Sequence, residues 1–596
     1  MRTSDFRAIL FFAALPFALA GCHSKPTAPD ASVECANDWG QWGLTASHWG
    51  LSCAVGQPPT RALSPQIVFD PFVAQEQQDA LTDTGGVALY AHYQAPLLSG
   101  DWMYMEVKGG EYHTCNPDGG SYQDGCGPRA RNSQIWSESA WHWEAGALTA
   151  KWTYASGWKP APYALATWEP VFSAAVVGDS IYVPEAGGAV AKVNRLDGTV
   201  ISTVRPLPLS GGAVNPDAYV VSPLTAATDG TVYYTALQLS PQVQGFLVQV
   251  KPNDEVKTVR FDQLVTDGPG ATDGCVATFG YANPRPAQPW PPSNDATPPS
   301  FPCGPQRPAI NAAPSIGPDG TVFVVSRAHA NSAYAYVVAV NPDLTPRWAT
   351  SLRGLLHDGC GVTLPADATD TSSSFDKAYH CRAGANHGVD PQTNDTPAGT
   401  ADDDGSSSPV ALPNGGVLYG SLTYYNQFRG HLLSFDVGGE FQKSYDFGWD
   451  ITPALYAHDG TYSIVTKDNR YLNADGGAGS YSITQLDKNL VPEWSFTNTN
   501  HYSCQRADDG GTDCVNDGTH WDGFEWCVNA PAVDKNGVVY ADSEDGNLYA
   551  IQQGGLATTQ FFLNTPIRAA YTPTSIDAQG RIYALNGGVL TVVGGP

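Results

Sequence analysis

A proline, a short apolar run, a turn and a second run rich in Val, Ile and Tyr recur along this chain. The copies read Pro96-LLSGDWMYM, Pro170-VFSAAVVGDSIYV, Pro223-LTAATDGTVYYT, Pro314-SIGPDGTVFVV, Pro409-VALPNGGVLYG, Pro453-ALYAHDGTYSIV, Pro531-AVDKNGVVYAD and Pro573-TSIDAQGRIYAL. Each predicts two antiparallel strands joined by a tight turn, because Asp-Gly and Asn-Gly tolerate the positive φ that such turns need. Self-similarity at this period points to a propeller or a solenoid.

Each hairpin is followed by a third strand, and seven are followed by a fourth: 149–154, 199–204, 256–261, 346–351, 441–446, 492–497 and 558–563. The eighth copy runs out at Pro596 after three strands, while QIVFDPFV at 66–73 lies unclaimed before the first copy. An N-terminal strand completing the last blade would close a ring and remove its open sheet edge. The expected fold is therefore all-β, an eight-bladed propeller of four-stranded antiparallel blades, with seven blades as the alternative count.

The shortest proline-to-proline spacings, 42 and 44 residues, match one bare blade, so longer spacings measure insertions. Three insertions follow the fourth strands of blades 3, 4 and 6, at about 265–308, 356–404 and 499–527. Another, about 108–140, separates the second and third strands of blade 1. Both loop types emerge on one face of a propeller. All four should crowd that face, where a rigid scaffold would present binding groups.

The 58 acidic and 31 basic residues give a formal charge of −27, which argues against nucleic acid as a partner. Arg2 and Arg7 flank the start, an apolar run spans Ala8 to Ala20, and Leu19-Ala20-Gly21-Cys22 follows. This resembles a bacterial lipoprotein signal, which implies cleavage of 1–21 and a lipid on Cys22. By the same resemblance, His23 in place of Asp suggests the outer membrane, and the membrane would be met through the lipid alone. Residues 22–34 have tether composition, and a Cys- and Trp-rich segment at 35–65 precedes the propeller at 66–596. Trp39, Trp42 and Trp49 in that segment could stack on sugar, but packing against the propeller wall is the preferred reading.

Eleven cysteines remain after Cys22. Cys35/Cys53, Cys115/Cys126, Cys275/Cys303 and Cys360/Cys381 are near neighbours, and of Cys504, Cys514 and Cys527 only two can pair together. An exported chain with local cysteine pairs reads as disulfide-bonded. Zinc is the weaker alternative, since no CxxC occurs.

The repeats resemble PQQ-like β-propeller repeats over residues 66 to 596, a family that includes quinoprotein alcohol dehydrogenases and a non-enzymatic barrel-assembly lipoprotein. Its tryptophan-docking signature has counterparts in Glu144 with Trp152, Asn341 with Trp348 and Asp487 with Trp494. In the family's dehydrogenases the quinone is held by an adjacent-cysteine disulfide, a stacking Trp, an Asp base and a Ca²⁺. This chain has no adjacent cysteines, and PQQ is not expected to bind.

Candidate chemistry falls in the insertions. His357-Asp358 precedes Cys360, and His380 adjoins Cys381 with His387 close by. Asp390, Asp395, Asp402, Asp403 and Asp404 supply the oxygen-rich composition that calcium requires. His520, Trp521, Asp522, Glu525 and Trp526 combine aromatic rings with carboxylates, as carbohydrate recognition does. The plainer readings are solvated loop residues and aromatic residues capping the channel. The function expected is that of a monomeric binding or scaffold module for an envelope protein or glycan through the insertion-rich face. A divergent quinoprotein oxidoreductase or a carbohydrate-active enzyme is the alternative.

Overall fold

The computed structural model describes residues 32–84, 89–113, 131–162, 164–284, 286, 289–364, 381–426, 428–471, 478–506, 511–565 and 570–595. Eight antiparallel sheets form an eight-bladed propeller, each with the four strands the repeat predicts. The inner strands are Leu97–Ser99, Ala175–Val177, Thr225–Ala226, Ser315–Ile316, Val410–Ala411, Ala454–His458, Ala532–Val533 and Ser575–Ile576. The outer strands of blades 1 to 7 are Ala147–Ala155, Val200–Val204, Val256–Arg260, Pro346–Ser351, Phe441–Tyr445, Pro492–Thr497 and Leu556–Phe562. Between the inner and second strands every blade turns on one left-handed glycine: Gly100, Gly178, Gly230, Gly320, Gly415, Gly460, Gly537 or Gly580. That shared conformation is why the repeat keeps Gly where it varies almost everything else.

Closure occurs in blade 8. Arg61–Ala62 and Ile67–Val68 pair with Val593–Gly594 and Val589–Leu590 of the last strand. The closing strand starts earlier than 66 and is split, because Pro65 has no N–H to donate to the ladder. It also stops before 73: Asp70 accepts a hydrogen bond from the Phe72 N–H at 3.0 Å, turning the chain into the helix Val73–Thr84. Lys108 holds this corner from a fully buried position, 2.6 Å from Asp70, 2.5 Å from Glu169 and 3.3 Å from Glu76.

Blades are locked to their neighbours by outer-strand tryptophans. Trp152 Nε1 donates to the Arg195 carbonyl and Trp348 Nε1 to the Val437 carbonyl, both at 3.0 Å, each reaching into the next blade. The rings lie on Gly198 and Gly439, where a Cβ would come within 2.9 and 2.5 Å of them. Trp494 docks likewise onto Gln553 and Gly555 of blade 7.

The segment after Cys35 threads the axis. Its backbone meets the inner strands in order: the carbonyls of Trp39, Gly40, Ala46, Ser47, Trp49 and Gly50 accept the N–H groups of Leu98, Val176, Ile316, Ala411, Leu455 and Val533. The Gln41 side chain serves Ala226 of blade 3, and the Gln57 N–H reaches Gly580 of blade 8. Trp39, Trp42 and Trp49 are all buried, so they wedge the propeller wall and do not form an exposed sugar platform. The Cys35–Cys53 disulfide staples the two ends of this plug. Inner-strand edges, unpaired in a bare propeller, thereby gain partners on the short-turn face.

The insertions gather on the other face. Segment 265–308 packs on 356–404 through Phe279 N–H to Gln392, Arg382 N–H to Trp290 and Asn394 to Asn294 and Ala296. Arg131, at the described edge of the blade 1 insertion, donates to the carbonyls of Ala166 and Thr167. Cys275–Cys303, Cys360–Cys381 and Cys504–Cys514 are disulfides, and Cys527 is buried outside them. Cys22, Cys115, Cys126 and His380 lie outside the described residues. Among the described residues no helix is long and apolar enough to cross a membrane.

Candidate functional site: an aromatic cavity on the propeller axis

Segments preceding the inner-strand prolines converge on the axis at the insertion face. Ala91–His92 pairs in parallel with Ala570–Tyr571, and Ala91 also bridges to Glu169. Blades 8, 1 and 2 therefore bring His92, Tyr571 and Trp168 together. From the opposite side comes Asp450, fully buried, with Oδ2 3.2 Å from His92 Nε2 and Oδ1 accepting the Ser406 N–H at 2.6 Å. Asn529 donates to Ser406 Oγ at 2.8 Å. Burial works against the Asp450 charge, but His92, Lys467 and Ser406 together hold its carboxyl below the usual range. Lys467, also buried, places Nζ 4.6 Å from the Tyr571 ring centre, and burial lowers its ammonium pKa.

Rings are layered on this polar floor. Tyr571 stacks on His92 at 5.2 Å and meets Trp168 at 5.1 Å, and Trp168 meets Trp449 edge-on at 6.4 Å. Above them opens a cavity of about 320 Å³ walled by Trp168, Trp449, Tyr424, Phe428 and Tyr471, with Leu422, Asp402 and Asp404. The five rings are half-buried, as a stacking surface must be. Asp404 positions Trp168 by accepting the N–H groups of Thr167 and Trp168 at 2.6 and 3.0 Å. Burial, reinforced by Asp404, pushes the Asp402 carboxyl up to about 6. On the far side of the floor Trp42 of the plug donates to Thr452 at 3.2 Å. Among the described residues the axis is open at one end and stoppered at the other.

This chemistry suits a hydroxyl-rich ring. Flat apolar faces of a sugar stack on aromatic rings, while carboxylates accept its hydroxyl hydrogens. A bound quinone of the dehydrogenase type finds no such fit. There is no adjacent cysteine pair, and among the described residues no group of three or more His, Cys, Asp or Glu side chains is placed to hold a metal ion. One face of Trp168 is already taken by Tyr571 and His92.

The residues singled out in the insertions are scattered by the fold. Asp358 is buried and pairs with His431 at 3.1 Å, pinning the 356–404 insertion to blade 5. His357 and His387 are exposed and face each other at 5.4 Å beside the Cys360–Cys381 disulfide. Asp403 is clamped by Arg307 and Arg327 at 2.6 and 2.7 Å, and Asp395 pairs with Arg353 at 3.0 Å. Asp390 is spent on the Gln392 N–H of its own turn. Only Asp402 and Asp404 reach the axial cavity.

In the last insertion His520 stacks on Phe524 at 4.0 Å and pairs with Asp517, and Asp522 accepts the Gly479 N–H. Trp521 is 60% exposed, whereas Trp526 is 1% exposed, donates to the Tyr481 carbonyl and belongs to the core between blades 6 and 7. Trp526 is thus a packing residue and is withdrawn from the ligand face. Glu525 sits half-buried against blade 7, its carbonyl accepting the Glu544 N–H.

Two of the cavity's rings, Trp168 and Trp449, and Tyr571 of its floor lay in plain sight, but in the repeat. Trp168 stands two residues before Pro170, Trp449 four before Pro453 and Tyr571 two before Pro573. The register that locates the inner strands also locates these axial positions.

No protein-family model matches the chain, and no curated protein matches it. Solved structures with a similar fold include BamB from Moraxella catarrhalis, 12% identical, covering 84% of this chain and 96% of that one at a TM-score of 0.37. The quinohemoprotein alcohol dehydrogenase of Comamonas testosteroni is 11% identical, covering 94% and 81%, with a TM-score of 0.47. The quinohemoprotein alcohol dehydrogenase ADHIIG of Pseudomonas putida HK5 is 10% identical, covering 95% and 79%, with a TM-score of 0.43. These likenesses concern the fold alone.

Proposed function

We propose that this propeller is a binding module of the bacterial cell envelope, lipid-anchored through Cys22, that takes a glycan into the axial cavity of its insertion-rich face. The observation that carries this reading is the cavity itself: five half-buried rings and two carboxylates at the insertion-face end of the axis. Titration of the purified chain against envelope-type oligosaccharides, followed by tryptophan fluorescence, tests it. Removing one stacking ring by Trp449→Ala should weaken binding by roughly one to two orders of magnitude, while Trp521→Ala outside the cavity should change it little. Equal losses in both variants, or none in either, would overturn the assignment. The anchor is tested by fractionation: Cys22→Ala should move the protein out of the membrane pellet, and unchanged sedimentation would remove it.

One observation favours a second reading. Asp402, with a carboxyl that holds its proton up to about 6, shares the cavity with the hydrogen-bonded Asp404. Two carboxyls facing one sugar, one of them raised towards neutral pH, are the parts of a glycoside hydrolase. New reducing ends from the bound glycan, lost in Asp402→Asn, would replace binding by cleavage.

A further inference from the structure

Beyond Tyr424 lies a second cavity, of about 380 Å³, between blade 4 and the packed insertions 265–308 and 356–404. Tyr424 lines both cavities and stands between them, the second lying outward from the axis. Their linings differ. The outer cavity carries two guanidinium groups, Arg327 and Arg353, among amide and hydroxyl side chains such as Asn331, Gln392 and Thr393.

Both guanidinium groups keep hydrogen-bond donors to spare among the described residues. Arg307 and Arg327 share one carboxylate, Asp403, at 2.6 and 2.7 Å. Of the two it is Arg327, which also interacts with Asp402, that faces the cavity. Arg327 Nε and Nη1 donate to Ala328, Ala401 and Asp403, and Nη2 has no acceptor among the described residues. Arg353 gives Nη2 to Asp395 and lays its plane 4.5 Å from the Tyr334 ring centre, which leaves Nη1 unused among the described residues. Asp390, the carboxyl on the cavity wall, accepts the Gln392 N–H at 2.8 Å, and burial pushes its pKa up. In a chain of formal charge −27, inward-facing spare guanidinium donors are against the general trend and mark a place for a carboxylate.

We infer that the ligand is a linear acidic oligosaccharide, one residue of which stacks in the axial cavity while a uronic acid beyond Tyr424 presents its carboxylate to Arg327 and Arg353. This rests on the glycan reading above and adds the charge, the length and the polarity of the ligand. Hydroxyl and amide groups around the arginines suit a sugar that must be hydrogen-bonded on several sides.

The test is calorimetric titration of the full chain with a uronic acid hexasaccharide, a neutral glucose hexasaccharide and a hexaglutamate peptide. The uronic acid ligand should bind at least tenfold more tightly than the neutral one, and its advantage should shrink as salt is raised. Arg353→Gln should bring the two glycan affinities to within about threefold of each other, as should Arg327→Gln, which also breaks the Asp403 clamp and is read beside it. Equal affinities for acidic and neutral glycans in the unaltered protein, with Trp449 still required, would overturn this inference and leave the glycan reading intact. Binding of neither glycan would remove both. Hexaglutamate binding as tightly as the uronic acid ligand would overturn the assignment to glycans.

Discussion

At Pro409 the carbonyl ahead of the blade 5 inner strand accepts a hydrogen bond from His48 Nδ1 at 2.7 Å, and the other ring nitrogen of His48 has no partner among the described residues. The ring is therefore the neutral Nδ1–H tautomer in a dry site, and burial pulls its pKa down to about 4. Above pH 6.5 neither the folded nor the unfolded state protonates this ring. Between 6.5 and 4 only the unfolded chain takes up the proton, so His48 alone costs the fold about 3 kcal/mol, saturating below pH 4. Buried carboxyls such as Glu138, raised to about 8 by desolvation, bend the profile the other way. The check is thus a difference between two proteins. His48→Asn keeps a donor and tolerates the left-handed backbone at this position, φ 62°. Denaturant unfolding at pH 7 and pH 4.5 should show a smaller acid loss in the variant, and parallel profiles would contradict the account. His48 shows why single residues resist reading from sequence. Its neighbour in space, Pro409, is 361 positions away. The same holds for Trp526, whose surroundings of Trp521, Asp522 and Glu525 suggest a platform while its ring closes the core between two blades.

Among the elements, the strands were legible and the plug was not. Period-two patterning and turn glycines mark each hairpin because local physics, a pleated strand and a left-handed turn, dictates them. Outer strands at 346–351 and 492–497 coincide with their sequence expectation to the residue. The plug at 39–57 has no period, since each residue answers a different blade. Only its disulfide and its tryptophans hint at burial. A crosslink spanning 18 residues should contribute about 3 kcal/mol by restricting the unfolded segment. In Cys35→Ser/Cys53→Ser the plug should loosen before the blades do. Acrylamide should then quench tryptophan fluorescence more strongly at temperatures where the far-ultraviolet circular dichroism is unchanged. If quenching and dichroism move together, the plug is part of the global cooperative unit and not a separate stopper.

For the whole molecule, subtracting the repeat directs attention to the right face but not to the right residues. Insertions do gather opposite the plug, and Asp402 and Asp404 belong to one of them. The cavity rings Trp168 and Trp449, and Tyr571 beneath them, come instead from the ends of blade connections, where the repeat register brings distant segments to one axis. Closure through blade 8 and the tryptophan locks between blades make the ring rigid, so a ligand should find its site largely preformed. The proposed site lies at the insertion-face end of the axis and extends past Tyr424, away from the short-turn face. Hydrogen–deuterium exchange with and without a saturating oligosaccharide measures it most directly. Protection should appear at 166–169, 402–404, 422–428 and 449–450, with the short-turn face around 98–101 and 228–231 unchanged. Protection confined to the short-turn face or the outer strands, with the axial segments exchanging as before, would contradict the account.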